Sequence, residues 1–418
     1  MANDKQNTNP NVPNKREQNG IYSGYAEREV LRPQGNVPNK GNVPKLRFPE
    51  FSEDWVQVPL SEISERVTRK NKNNISKLPL TISAQYGLVD QITFFNKVVA
   101  SVDMSNYYLL KKGEFAYNKS YSSDYPWGAI KRLDRYDEGA LSTLYICFNI
   151  KKCTDSDFAV QYFESPKWHR EVSNIAGEGA RNHGLLNIAV GDFFNTKHYL
   201  PSSIDEQQKI AKLLSLLDQR IATQNKIIED LKKLKVAITN WLIKSISDCS
   251  GVKYLENIAD IYQPQTIPTS VLNDDDEYFV YGANGIIGKY HKYNHEYSQI
   301  CITCRGNTCG NINFSVPKSW ITGNAMVVNI DEYAHIVNKR YLYHYLSTIN
   351  FTPLISGSGQ PQIVRQPLGK LKIPTPSLEQ QDKIANIIDN FEQKIEIENK
   401  YLQSLLAQKA YLLINMFI

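Results

Sequence analysis

The chain has 418 residues, 41% apolar and 22% charged, and its 48 basic residues against 43 acidic ones leave a net charge of +5. This is the composition of a globular protein with room for about three domains. It excludes a fibrous or wholly disordered chain, and so mild a charge gives nucleic acid only weak, salt-sensitive binding unless a second subunit helps to hold it.

Six cysteines (Cys147, Cys153, Cys249, Cys301, Cys304 and Cys309) are too sparse for a disulfide scaffold and fit a reducing compartment. No apolar run approaches the ~20 residues that a membrane helix needs, and the polar residues 1–15 lack the apolar core of a secretory signal. A cytoplasmic location without membrane contact is expected.

In chain order, residues 1–45 form the first segment, rich in Asn, Pro, Gly and Lys, with Asn11-Val12-Pro13-Asn14-Lys15 repeated as Asn36-Val37-Pro38-Asn39-Lys40. Such a segment has little apolar surface to offset ordering entropy and reads as a flexible polar tail. Residues 46–200 read as a first globular domain with many loops, in which 144–150 is a buried strand and 158–165 a short amphipathic helix. Residues 201–250 read as a long helix, 251–373 as a second domain with a buried strand at 325–330, and 374–418 as a second long helix.

The two halves repeat each other. Glu206-Gln207-Gln208-Lys209-Ile210-Ala211 returns as Glu379-Gln380-Gln381-Asp382-Lys383-Ile384-Ala385, with Lys209 and Lys383 174 positions apart. Each copy follows Pro with Ser or Thr and an acidic first turn, a helix start. Heptad positions in the first helix are Ile210, Leu214, Leu217, Ile221, Ile228, Leu231, Ile238 and Leu242, interrupted by Gln224 and Lys235. In the second they are Ile384, Ile388, Phe391, Ile395, Leu402, Leu405, Leu412 and Met416, interrupted by Glu398 and Lys409. Polar seam residues cost stability but fix register, and their recurrence at one offset reads as two symmetric partners in an antiparallel coiled coil. The alternative is that each helix buries its apolar face on its own domain. Weaker matches precede the helices: Leu60 and Ile63 with Leu255 and Ile258, Gly87 with Gly285, Gly128 and Gly139 with Gly310 and Gly323, and Gly177 and Gly179 with Gly357 and Gly359.

Catalytic and cofactor patterns fail on spacing. The 283–290 segment lacks a glycine and a hydroxyl of a phosphate-binding loop. The Gly177 and Gly357 pairs lack the third glycine of a dinucleotide fingerprint and read as turns. His291, His295, Cys301 and Cys304 have zinc-ligand types, but a strand over 298–303 points the two cysteines to opposite faces. No catalytic residue and no metal site is assigned.

What remains is two polar loop systems: Lys119, Ser120, Tyr121, Arg181, Asn182 and His183 in the first domain, and Arg305, Asn307, Thr308, Gln360, Gln362 and Arg365 in the second. Arg, Lys, Asn and Gln read base edges in the major groove, while Ser, Thr and Tyr hold phosphates. These are the candidate DNA-binding residues, with solvated turns as the plain alternative.

The layout, the opening Leu46-Arg47-Phe48-Pro49-Glu50-Phe51-Ser52-Glu53-Asp54-Trp55, the segment 177–186 and the twice-present helix opening resemble the specificity subunits of type I restriction-modification systems over residues 46–418. The resemblance implies an α+β chain of two target recognition domains alternating with two paired long helices and having no catalytic site. It also implies as partners duplex DNA, two methyltransferase subunits and motor-nuclease subunits, which carry S-adenosylmethionine, ATP and magnesium. On this reading each domain recognises half of a split target. A coiled-coil scaffold whose domains bind proteins is the alternative.

Overall fold

The structure, a computed structural model, describes residues 42–418 other than 98, 121, 123–124, 177–180, 183–184, 248–249 and 358. Residues 1–41 of the expected tail and the Gly177–Gly179 turn therefore lie outside the described residues. The chain divides into two compact units, residues 1–222 with 403–418, and residues 223–402.

In the first unit β1 (Val56–Pro59), α1 (Leu60–Ile63), β2 (Ser64–Arg66), β3 (Pro79–Ser83), β4 (Gly87–Asp90), α2 (Gln91–Phe95), β5 (Tyr108–Lys111), β6 (Phe115–Asn118) and β7 (Ala129–Arg132) follow in order. They continue through β8 (Glu138–Leu141), β9 (Ile146–Ile150), α3 (Ser156–Glu164), α4 (His169–Ile175), β10 (Arg181–Asn182), β11 (Leu185–Leu186), α5 (Val190–Asn195) and β12 (Lys197–Leu200) to the long helix α6 (Ile204–Ser247). Strand β1 pairs with β12, one sheet has the order β2-β9-β6-β7, and another has the order β4-β3-β8-β5.

The second unit repeats this plan. After β13 (Gly251–Tyr254) come β14 (Asp260–Tyr262), β15 (Tyr278–Gly282), β16 (Gly285–Tyr290), β17 (Ile300–Thr303), β18 (Ile312–Phe314), β19 (Trp320–Ile321), β20 (Ala325–Asn329), α7 (Lys339–Leu346), α8 (Arg365–Gly369), β21 (Lys372–Thr375) and the long helix α9 (Leu378–Asn415). Strand β13 pairs with β21, and the sheets run β14-β20-β17-β18 and β16-β15-β19. A parallel pairing recurs as well, β3 with β8 and β15 with β19.

The cores are filled differently. The first is aromatic, with Phe115 stacked on Phe148 and Trp55, Phe158, Phe163, Trp168 and Phe193 buried around them. The second is mainly aliphatic, built on Leu255, Ile261, Ile300, Val328, Leu342 and Leu346. Gly128 and Gly310 open equivalent strands at φ +77° and +95°, and a Cβ at Gly128 would lie 2.0 Å from the Asn118 carbonyl oxygen. Only glycine fits such a position without strain.

Both long helices begin at serine. The hydroxyls of Ser203 and Ser377 accept the N–H of Glu206 and Gln380 at 3.3 Å, satisfying an orphan donor of the first turn. One turn in, Gln207 and Gln381 are buried, at 2% and 0% exposure. Gln207 donates to the Pro201 carbonyl and accepts the N–H of Asp155, the N-cap of α3. Gln381 donates to the Pro376 and Ile336 carbonyls and accepts the N–H of Asn338, the N-cap of α7. The repeated glutamine thus fastens each domain's short helix to a long one. The structural equivalents are 174 apart, so the first Gln of one opening matches the second Gln of the other.

Each unit holds part of both long helices, and within each the pairing is antiparallel. In the first unit Ile210, Ala211 and Leu214 share a core with Leu413, Met416 and Phe417, and Lys409 donates to Asp218 at 2.5 Å. In the second, Ile246 shares a core with Ile384, Ala385 and Ile388. There Gln224 donates to the Glu398 carboxylate at 2.6 Å, and Lys235 to Glu392, also at 2.6 Å. The polar seam residues therefore have partners. Lys235–Glu392 and Asp218–Lys409 are one ion pair written twice with its order exchanged. Ile210, Leu217, Ile384 and Leu405 are buried, whereas Ile221, Leu231, Phe391 and Ile395 are half-buried. No helix among the described residues is long and apolar enough to cross a membrane.

Candidate nucleic-acid interface

In each domain a loop leaving the sheet meets the loop that precedes the last short helix, and the junction is the same. In the first unit Ser120 forms an isolated antiparallel bridge with Leu185, and the Leu186 N–H donates to the Lys119 carbonyl at 2.9 Å. In the second, Arg305 bridges to Gln362, and the Ile363 N–H donates to the Cys304 carbonyl at 3.1 Å. Leu186 and Ile363, at 6% and 2% exposure, anchor the equivalent strands in their cores. Arg305 thus occupies the place of Ser120.

In the second unit this junction lines a cleft of about 300 Å³ with Tyr262, Gln263, Arg305, Gln362 and Arg365. Gln362 is further fixed by reciprocal backbone hydrogen bonds with Ser356. The turn between them needs Gly357 at φ +92°, where a Cβ would lie 2.5 Å from the Gln360 carbonyl oxygen.

Arg47, Arg69, Arg132 and Arg340 are each paired with a carboxylate. The side chains of Arg305, Gln362 and Arg365 have no hydrogen-bond or ion-pair partner among the described residues. A rigid cleft edged by two unpaired guanidinium groups and a free amide can take an anionic or base-edge ligand.

Asn307, Thr308 and Gln360 lie in the adjoining turns but do not line the cleft. In the first unit Lys119 is half-buried and Ser120 exposed. Tyr121 and His183 lie outside the described residues, as do the side chains of Arg181 and Asn182. Tyr117, at the mouth of that loop in sequence, is a core residue. It stacks on Phe193 at 4.9 Å, donates to the Trp127 carbonyl, and has its phenol pKa raised by burial.

Tyr262 and Gln263 were not legible as site residues. They end β14 far from both loops in sequence, and only the pairing of β14 with β20 brings them to the cleft.

A family model described as "Type I restriction modification DNA specificity domain" matches residues 250–407, which include this cleft. A protein of Haemophilus influenzae named as a type I restriction enzyme specificity subunit is 32% identical over 141 residues, covering 33% of this chain and 36% of that protein. The MjaVIII specificity subunit of Methanocaldococcus jannaschii is 26% identical over 261 residues, covering 52% of this chain and 60% of its own. The chain thus spans about a third to three fifths of the length of these relatives. Among solved structures, the type I restriction-modification S subunit from M. genitalium aligns over 90% of this chain and 99% of its own, with a TM-score of 0.57 at 18% identity.

The chain is similar to type I restriction-modification specificity subunits, and residues 250–407 match their DNA specificity domain. Three of the four zinc-like residues, Cys301, Cys304 and His295, do other work. Cys301 packs in the small core with Tyr281 and Val327, its thiol pushed up to about 12 by burial, while Cys304 packs in the large core on the opposite face. His295 is stacked on Tyr262 and hydrogen-bonded to its hydroxyl at 3.0 Å. The phosphate-loop lookalike is the β15–β16 hairpin, with Gly282 paired to Gly285. Elsewhere His344, Asp389 and Glu392 come within 4.8 Å of one another, and Arg340 fills the space between them. It donates to Asp389 at 2.9 Å and to Glu392 at 2.8 Å, tying α7 to α9.

Proposed function

We propose that this chain reads a split duplex DNA target in the cytoplasm, one half-site per domain, for a type I restriction-modification complex. The observation that carries the reading is the cleft of the second domain, where Arg305 and Gln362 are held by backbone bridges beside Arg365, and all three side chains are without a hydrogen-bond or ion-pair partner among the described residues. Those side chains match the donors that read guanine and adenine edges, and they fall within the stretch that resembles the DNA specificity domain. Lys119, Ser120, Arg181, Asn182, His183 and Tyr121 serve the first half-site, with Asn307, Thr308 and Gln360 on the flanks of the second.

The paired helices hold two methyltransferase subunits, and motor-nuclease subunits join them. S-adenosylmethionine, ATP and magnesium belong to those partners, so the chemistry lies outside this chain. The test is sequencing of methylated adenines in cells with and without the chain, beside its modification subunit. A bipartite methylated motif that disappears with the chain is expected, and an unchanged methylation pattern refutes the reading. Arg365→Ala and Gln362→Ala should each lower discrimination at the second half-site by ~1–3 kcal/mol and leave methyltransferase binding intact.

A further inference from the structure

Gln263 differs from its neighbours in the cleft because its amide is already half used. Its Nε2 donates to the Gly323 carbonyl at 3.1 Å and to the Cys304 sulfur at 3.0 Å. The Gly323 carbonyl can only accept, so it fixes which end of the amide is nitrogen. Both N–H groups are thereby consumed, and Oε1 is left without a partner among the described residues. Cys304, which receives one of these bonds, directly precedes Arg305 in the bridged loop.

Resting on the proposal that this cleft reads DNA, we infer that Gln263 is a specificity-determining residue that acts as a pure hydrogen-bond acceptor. A free glutamine offers a donor and an acceptor together and matches adenine bidentately. Locked in this way, it can accept only from an exocyclic amino group, adenine N6 or cytosine N4. Every base pair carries one such group in the major groove, on one strand. A lone acceptor therefore distinguishes a base pair from its own reversal and not A·T from G·C. That distinction falls to the arginines beside it, which favour guanine O6 and N7.

The experiment is selection from a randomised duplex pool by the full chain and its variants, each together with the modification subunit, with folding checked by circular dichroism. The half-site that relaxes in Arg305→Ala identifies the second domain's bases. Within it, one pair should disfavour its reversal by about tenfold or more in the native chain, and Gln263→Leu should abolish that preference while other positions hold. Whether adenine or cytosine is enriched there tells which amino group is met. Gln263→Glu keeps an acceptor and loses both N–H groups, and should retain the orientation preference. A folded Gln263→Leu variant with unaltered preferences overturns the inference. So does uniform loss across the whole half-site, which would make Gln263 a support for the Arg305 loop. A native chain that enriches no sequence overturns DNA reading itself.

Discussion

The two units share a frame and differ in what they mount on it. The order of one four-stranded sheet, a parallel pairing in the other sheet, the serine cap, the buried glutamine and the one-residue bridge between loops all recur. At the equivalent of the bridge, however, stands Ser120 in one unit and Arg305 in the other. At the corner between short and long helices, Gln161 donates to Asp218 in the first unit, whereas Arg340 binds Asp389 and Glu392 in the second. Residues that satisfy backbone groups are kept because any replacement leaves a buried donor or acceptor unpaired. Residues facing the loops carry no such cost and are free to differ.

The largest asymmetry lies at Glu206. In the first unit it is 1% exposed, bonded to Arg47 at 2.7 and 2.8 Å and to the Trp55 indole at 3.2 Å. Its equivalent Gln380 is exposed. Urea unfolding should show Glu206→Ala losing about 3 kcal/mol, because the half-buried Arg47 guanidinium keeps only the Glu53 carbonyl and the buried Trp55 indole loses its acceptor, and Gln380→Ala changing by less than about 0.5 kcal/mol. Similar losses at both positions would remove the asymmetry.

The next effect tests what is shared. Gln381→Ala strands three backbone groups and Gln207→Ala strands two. Losses of about 3 and 2 kcal/mol are expected at ~1 kcal/mol or more per group. Equal melting temperatures for both variants and the native chain would show the frame to rest elsewhere.

Acid tests one position at which the units differ. His198 is buried between the hydroxyls of Tyr162 and Thr196, each 2.8 Å away, and burial lowers its pKa to about 4. The matching residue of β21 is the buried Ile373. A histidine whose folded pKa lies below its unfolded value near 6.5 binds its proton more readily in the unfolded chain. Its contribution is therefore complete above pH 6.5 and is lost as pH falls toward 4. His198 should contribute roughly 2 kcal/mol to the fall in stability between pH 7.5 and 5, beside the shares of the likewise lowered His169, His295 and His344, and His198→Ile combined with Tyr162→Phe should remove that part of the slope. A slope unchanged in the double variant would assign all of it to the other histidines.

The smallest effect concerns the exchanged ion pairs. Lys235→Met and Lys409→Met each remove a partly exposed bridge and should cost about 0–1 kcal/mol in the same amount. A difference well above that in thermal unfolding would show that the two pairs are not equivalent.

How much of this was legible follows from the physics of each feature. The heptad seam and the repeat could be read because helix packing imposes a period, and the exceptions Gln224, Glu398, Lys235 and Lys409 marked themselves by recurring. The loops carrying Arg305, Gln362 and Arg365 could be found as polar strings between strands. Their convergence depends on a single bridge that no local pattern encodes. Tyr262 and Gln263 had no signal, since a strand end acquires a role only through the sheet it joins. Tyr117 shows the converse: an aromatic beside a polar loop looks available in sequence, yet it is stacked on Phe193 in the core.

The core of the first unit contains Leu413, Met416 and Phe417, with Phe417 against Trp55, Phe158 and Tyr162. A ribosome making this chain releases nearly all of that unit long before it supplies those side chains. At about 5–20 residues per second, the roughly 200 intervening residues hold an aromatic cavity open for some 10–40 s. During that time the nascent domain presents the kind of surface that chaperones bind. Loss of translation past Leu412 would thus damage the domain farthest from it in synthesis.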